Sequence, residues 1–287
     1  MIRSLVFSAL FLVALPAQGQ IQVDLTFKRL QYIAFEPVIA TVRITNMAGR
    51  DILLRDANDQ PWHGFEVTTT EGRILAPLKE ASESPLKIAA GTSVTRKINL
   101  MPLFPISDRG VYHVRANVFF ADLNKFFYAP AKVFEVTTAR PIWERTVGDP
   151  SAGGVRTYSL MKNRFPDHTS LYVRVEDKQN SLVYSTFSLG RVISFDEPQA
   201  ELDCRNQLHV LRCSAPHVWS YSVIGLDGRL LKHTNYSEAP SSPHLRRAAD
   251  GTVAVVGGKV DTSVASTAFG KPATRLSDRP ADIPSED

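Results

Sequence analysis

Cysteine is almost missing from this chain: Cys204 and Cys213 are the only two in 287 residues. Two thiols cannot build a disulfide-stapled scaffold. Excess charge is also small, with 33 Lys and Arg against 29 Asp and Glu and a net charge of +4. The basic residues are scattered, which leaves no footprint for nucleic acid. A second long apolar run is absent, so nothing after the N-terminus offers a membrane-spanning segment. Three chemical signatures are missing as well: the Gly-x-Ser-x-Gly elbow, the glycine-rich phosphate loop and the His-Glu-x-x-His metal helix. Proline at 18 and glycine at 16 are too few for collagen or a low-complexity chain. What remains, 44% hydrophobic and 22% charged residues, is globular material. Its length suits two cores.

The N-terminus reads as an export signal. Arg3 supplies the positive start, Leu5 to Leu15 is apolar, and Pro16 breaks the run before Ala17-Gln18-Gly19. Cleavage before Gln20 is expected from that small-x-small triplet, with cleavage after Ala17 as the alternative. The apolar stretch is roughly half the 20 residues needed to cross a bilayer. The expected compartment is therefore periplasmic or extracellular, with no lipid-anchoring Cys near the cleavage site.

From Ile21 to Thr138 the chain alternates apolar and polar residues in short runs separated by turns. Val23, Leu25 and Phe27 form one such run, and Val38, Ala40, Val42 and Ile44 form another before the turn at Asn46 to Gly49. Phe65 to Thr69, Val94 to Leu100, Val111 to Phe119 and Phe126 to Val136 continue the pattern. About seven strands over residues 20–139 predict a β-sandwich. The phrase Glu36-Pro37-Val38 leading into Ala40 to Asn46 resembles the second strand of immunoglobulin-like and macroglobulin-like domains of exported bacterial proteins. Gly110-Val111-Tyr112-His113-Val114-Arg115-Ala116 resembles their late strand, and the resemblance implies a corner in which the Tyr112 hydroxyl bonds back to the chain. The same strand phrase is similar to a sandwich-type bacterial proteinase inhibitor, and the Pro-rich loop Met101 to Ser107 then becomes a candidate inhibitory loop.

A second region, residues 142–258, carries an internal echo. Leu171-Tyr172-Val173 matches Leu208-His209-Val210, Val183-Tyr184-Ser185 matches Ser220-Tyr221-Ser222, and Gly190-Arg191 matches Gly228-Arg229. The period is near 40, and strands restart after Asp-Gly turns at Asp227-Gly228 and Asp250-Gly251. This pattern resembles blades of a β-propeller. About two blades cannot close a ring, so a propeller-like stack, closure by self-association, or a small ordinary sheet are the open alternatives. Exposed strand edges would follow from the first. Residues 259–287 turn to Ala, Ser, Thr, Pro and mixed charge, the composition of a flexible tail.

Candidate chemistry is sparse. Cys204 and Cys213 are in an oxidising space on this reading, where one disulfide or two unpaired thiols are the alternatives. His209 and His217 could meet across a hairpin with a Cys nearby, but two Cys nine positions apart match no zinc spacing, so no metal or cofactor is expected. The Asp-Gly pairs read as hairpin turns, since neither carries the string of oxygen ligands that calcium needs. Trp62, Trp143, Trp219, Phe119-Phe120 and Phe126-Phe127-Tyr128 offer aromatic surface or core. One of Phe119 and Phe120 is expected to face the second region, because neighbours on a strand point to opposite faces. Glu176, Asp177, Glu201 and Asp203 are the carboxylates a glycan hydrolase would draw on. With no catalytic constellation, the expectation is an all-β exported binding protein that contacts another extracytoplasmic protein or a surface polymer. Protease inhibition and glycan cleavage are the alternatives.

Overall fold

The computed structural model describes residues 20–79, 83–150, 153–193, 196–239 and 241–261. The expected signal peptide and the expected tail from 262 onward lie outside the described residues.

Alternation builds the first unit. In β1 (Ile21–Phe27) Ile21, Val23 and Leu25 are buried, and their neighbours Gln22, Asp24 and Thr26 are not. Along the chain follow β2 (Gln31–Ile33), β3 (Ile39–Asn46), β4 (Ile52–Leu54) and β5 (His63–Thr69). Then come β6 (Leu86–Ile88), β7 (Ser93–Asn99), β8 (Gly110–Phe120), β9 (Lys125–Tyr128) and β10 (Lys132–Thr137). One sheet has the order β1-β3-β7; the other has β2-β10-β8-β5, with β9 also beside β8. Ala40, Val42 and Ile44 of β3 share one core with Val114, Ala116 and Val118 of β8. Phe134 is the aromatic hub of that core, with Phe27, Tyr32 and Tyr112 at 5.1–5.6 Å. Tyr112 Oη donates to the Asp108 carbonyl at 2.8 Å, fixing the corner before β8.

Several expectations shift here. Ten strands are present, because β2, β4 and β6 are three residues each, too short to show a period. Phe126 to Val136 is two strands, split at Ala129-Pro130-Ala131, where proline cannot donate to a ladder. Neither Phe119 nor Phe120 faces the second unit. β9 folds back so that Phe126 lies opposite Phe119 and covers it at 4.9 Å, while Phe120 enters the core. Met101, Phe104 and Ile106 are buried, so the Pro-rich loop turns its apolar side chains inward.

The second unit is a series of antiparallel meanders. The first comprises β11 (Arg140–Asp149), β12 (Gly154–Arg164), β13 (Thr169–Asp177) and β14 (Leu182–Arg191). The second comprises β15 (Gln199–Leu202), β16 (Leu208–Ala215), β17 (Val218–Ile224) and β18 (Leu230–Ser237). A hairpin of β19 (His244–Arg247) and β20 (Val253–Val256) comes next, and β21 (Lys259–Asp261) joins the free edge of β18. Residues 259–261 thus belong to a sheet rather than to a tail: Tyr236 pairs with Val260, an edge partner that composition does not reveal.

The sheets stack face to face. Leu160, Leu171, Val173 and Val175 of the first meander meet Leu208, Val210 and Ile224 of the second. The other face of the second meander, with Leu211, Trp219, Tyr221 and Val223, is covered by Leu245 and Val255 of the hairpin. The matched phrases Leu171-Val173 and Leu208-Val210 occupy unlike places, the third strand of one sheet and the second of the next. Equivalent turn residues with positive φ are Gly153, Asn206 and Gly251, spaced 53 and 45 residues apart, so a period near 40 does not describe the stack.

Glycine is required at Gly228. Its φ is +78°, and a Cβ there would collide with Ser185 Oγ of the neighbouring meander. The Asp227-Gly228 turn therefore holds two sheets close together as well as reversing the chain.

Candidate binding trough

Most polar clusters of the second unit are closed on themselves. Arg156 on β12 pairs with Asp149 at 2.8 Å and faces Asp177 at 3.7 Å, with its guanidinium 4.1 Å from the Tyr184 ring centre. All three charged side chains are buried. Asp177 also accepts from Asn180 Nδ2 and from two backbone N–H groups of its turn, and these bonds hold its carboxyl below the usual range. Glu176 lies beside Lys178 at 3.9 Å.

Asp203, His209 and Tyr221 form a second closed chain. The carboxylate can only accept, so His209 Nε2 carries the proton toward Asp203 at 3.3 Å, and Nδ1 shares a hydrogen bond with the Tyr221 hydroxyl at 2.7 Å. Burial first, then Tyr236 and Asp203, push the Tyr221 phenol up to about 12, the opposite of an activated hydroxyl. Asp203 Oδ1 also accepts from the N–H groups of Arg205 and Gln207, which shapes the β15–β16 turn. Glu201 points into solvent on β15. The four carboxylates singled out in the sequence thus serve separate local structures. Asp227 and Asp250 cap their own turns, accepting from Arg229 N–H and Thr252 N–H, while Gly251 O accepts from Cys204 N–H.

Cys204 and Cys213 are both free thiols, one exposed and one buried. The disulfide alternative is not formed: Cys204 sits in the β15–β16 turn, whereas Cys213 lies toward the far end of β16, opposite Trp219. Burial, then Asp196 and Glu238, raise the Cys213 thiol pKa, so it stays protonated. His209 is engaged with Asp203 and Tyr221, and His217 with Glu238 at 2.5 Å, so the two histidines face different partners. Among the described residues no group of three or more His, Cys, Asp or Glu could hold a metal ion.

An open concave surface lies at one end of the second unit, lined by the β12–β13 loop, residues Arg191 to Ile193 at the end of β14, and the β16–β17 turn. A wide compartment of 740 Å³ is lined by Arg164, Phe165, His168, Arg191 and Pro216 among others. A narrower one of 480 Å³ is lined by Asp196, Gln199, Cys213, Trp219 and His244 among others. Ile193 borders both, so the two are neighbours, and the wide one forms the trough. Phe165 stacks on His168 at 4.8 Å with planes 20° apart, and Trp219 Nε1 donates to Asp196 Oδ2 at 3.3 Å. Of the three tryptophans, Trp62 is in the first core, Trp143 supports the interface between meanders, and Trp219 is buried under the last hairpin with only an edge on the narrower compartment. Sequence reasoning missed Arg164, His168 and Arg191, which antiparallel pairing of β12, β13 and β14 brings to one end of the first meander, and Asp196, which lines the narrower compartment. The Phe165-Pro166-Asp167-His168 and Ala215-Pro216-His217 turns were the available signal, two Pro-His loops at one end of successive sheets.

The trough adjoins the junction between the units. Phe165 packs with Ile33, Met161, Tyr172 and Ala139. Around them, Arg29 Nη1 donates to Tyr172 Oη at 2.9 Å and Nη2 pairs with buried Glu36 at 2.5 Å. Arg174 donates to the Ala34 carbonyl at 2.6 Å and lies 5.1 Å from the Phe35 ring centre. Phe35 has φ +67°, a left-handed conformation that L side chains rarely adopt, and the grip of Arg174 on both sides of it holds that turn in place. Burial first, opposed by Arg29, raises the Glu36 carboxyl pKa.

No family model matches the chain, and no curated protein matches it. Among solved structures, the crystal structure of Spo0M, a sporulation control protein from Bacillus subtilis, aligns over 60% of this chain and 91% of that one. Identity is 11% and the TM-score is 0.29, so fold and function rest on the residues themselves.

Proposed function

We propose that this is an exported, non-catalytic binding protein whose second unit holds a surface polymer or a partner protein in the trough. On this reading the first unit is an immunoglobulin-like sandwich that supports a propeller-like stack. The observation that carries it is the contrast between polar groups: the Arg156 and His209 clusters are buried and internally bonded, while the trough gathers the exposed Arg164 and Arg191 beside the half-buried Phe165 and His168. Recognition sites combine an apolar wall with a few polar groups in this way. No helix among the described residues is long and apolar enough to cross a membrane. An export signal would bring the chain to where surface polymers and exported proteins are met.

The test is affinity capture from the native extracytoplasmic fraction with Gln20–Asp287 as bait, beside the same chain carrying Ala215→Trp. Ala215 is exposed on the trough wall, so a bulky ring there fills the groove without touching the core. A specific partner lost in that variant supports the reading. A partner retained equally by both moves binding away from the trough.

A further inference from the structure

The two units are joined by only two residues, Thr138 and Ala139, between the end of β10 and the start of β11. Units joined in this way turn relative to one another unless a large apolar interface holds them. The apolar contact here is small: Ile33 of the first unit meets Met161 and Tyr172 of the first meander, with Ala139 and Phe165 half-buried beside them. Apolar contact has no direction, so three buried side chains leave rotation about that point open. The angle between the units then falls to directional groups.

Two arginines supply them, one from each unit and reaching in opposite directions. Arg29, between β1 and β2, divides its guanidinium: Nη1 donates across the junction to Tyr172 Oη at 2.9 Å, and Nη2 pairs with Glu36 of its own unit. The other Glu36 oxygen accepts from Ile33 N–H at 3.1 Å, which ties the carboxylate, and Arg29 through it, to the β2 backbone. Arg174 makes the return contact. It stands two residues from Tyr172 on β13 and so shares its face. Its Nε donates to Thr186 Oγ1 at 3.1 Å within the meander, and its Nη2 donates across the junction to the Ala34 carbonyl at 2.6 Å. Both arginines are half-buried, and charged donors make shorter and stronger hydrogen bonds than neutral ones. Each is fixed within its own unit before it reaches over, so neither can follow a rotation of the other unit without losing its bond. What Arg174 holds is the turn at Phe35, whose positive φ an unsupported chain would abandon.

We propose that this reciprocal pair is a latch: Arg29 and Arg174 lock the first unit to the first meander at one angle, and releasing both frees the units to swing about Thr138 and Ala139. Glu36 is a positioning residue that keeps Arg29 aimed at Tyr172. Phe165 belongs both to this junction and to the wall of the wide compartment, so an open latch displaces that wall whatever the compartment binds.

Small-angle scattering on Gln20–Asp287 tests the latch, with Arg29→Met and Arg174→Met made singly and together. Met retains an apolar stem and removes the donors. The double variant should show a larger radius of gyration and maximum dimension than the wild type, and faster elastase cleavage beside Ala139; each single variant should shift both in the same direction by less. Unchanged circular dichroism and tryptophan fluorescence will show that both units are still folded. If the double variant fails to fold, Tyr172→Phe with Arg174→Gln decides, because it keeps the buried ring, removes the acceptor of Arg29 and leaves a side chain too short to span from Thr186 to Ala34. It too should widen the scattering profile. A folded double variant, or in its place the milder pair, with wild-type scattering and cleavage would overturn the proposal, as would a wild-type chain already as extended as the variant.

Discussion

The two units bury different things. Among the described residues the first unit buries three polar or charged side chains, Glu36, Asn46 and His63, inside a wall of aliphatic and aromatic groups. The second buries eleven, from Asp149 and Arg156 to Ser220 and Ser222. A two-sheet sandwich closes around one core, so burial of apolar area is enough to hold it. In the meanders each strand is placed by pairing with its neighbours, and a slip of one residue in that pairing would turn every side chain to the other face. Directional groups such as Arg156 between Asp149 and Asp177 fix which register is correct, at the expense of desolvation.

The contrast can be broken from either side. Trp62→Ala removes the largest side chain of the first core and should destabilise that unit by about 4 kcal/mol. Denaturant unfolding followed by fluorescence of the remaining Trp143 and Trp219 will show whether the second unit unfolds with it. Asp149→Ala should cost about 3 kcal/mol, because it leaves the buried Arg156 guanidinium with only the longer contact to Asp177 for its charge. Adding Arg156→Met to it should recover much of that loss, and failure to recover would mean that the charges do more than neutralise each other.

His63 sharpens the comparison through pH. Burial first, then the charge of Arg96, lowers its pKa from 6.5 to about 4, and neither ring nitrogen has a hydrogen-bond partner. Above pH 6.5 the ring is neutral in both folded and unfolded chains, so it adds no pH dependence. Below 6.5 only the unfolded chain takes up the proton, so stability falls until the folded pKa is passed near 4. The loss is about 3 kcal/mol across that window. His63→Leu should flatten the stability profile of the first unit between those limits; an unchanged slope would assign it to other groups. The smallest effect expected is that of Tyr112→Phe, about 1 kcal/mol from the lost hydroxyl bond to Asp108 O. Thermal melts of the two proteins side by side will read it.

How much of this was legible varied with the range of the cause. Alternation in Ile21 to Phe27 and Ile39 to Asn46 exposed their strands, because burial there repeats every second residue. Tyr112 and the Asp-Gly turns were also visible as local chemistry. The three-residue strands had no period to show, and Phe119 was covered by a fold-back of β9 that no local rule contains. The repeat misled because similar strand text fell on strands of different rank. The trough was invisible for a related reason: Arg164 and Arg191 end strands 27 residues apart that pair with the same strand β13, and each alone reads as a solvated strand end.

The parallel pairing of β2 with β10 also sets a timetable. Gln31 and Glu135 are neighbours in the sheet but 104 residues apart in the chain, whereas every neighbour in the two meanders is the next hairpin along. Rates of folding fall as contacts become more distant in sequence. The sandwich should therefore be the slow step, unable to close until its last strand has emerged. The meanders can zip rapidly and wait, with the Arg174 grip on the Ala34-Phe35 turn forming only once the sandwich has closed.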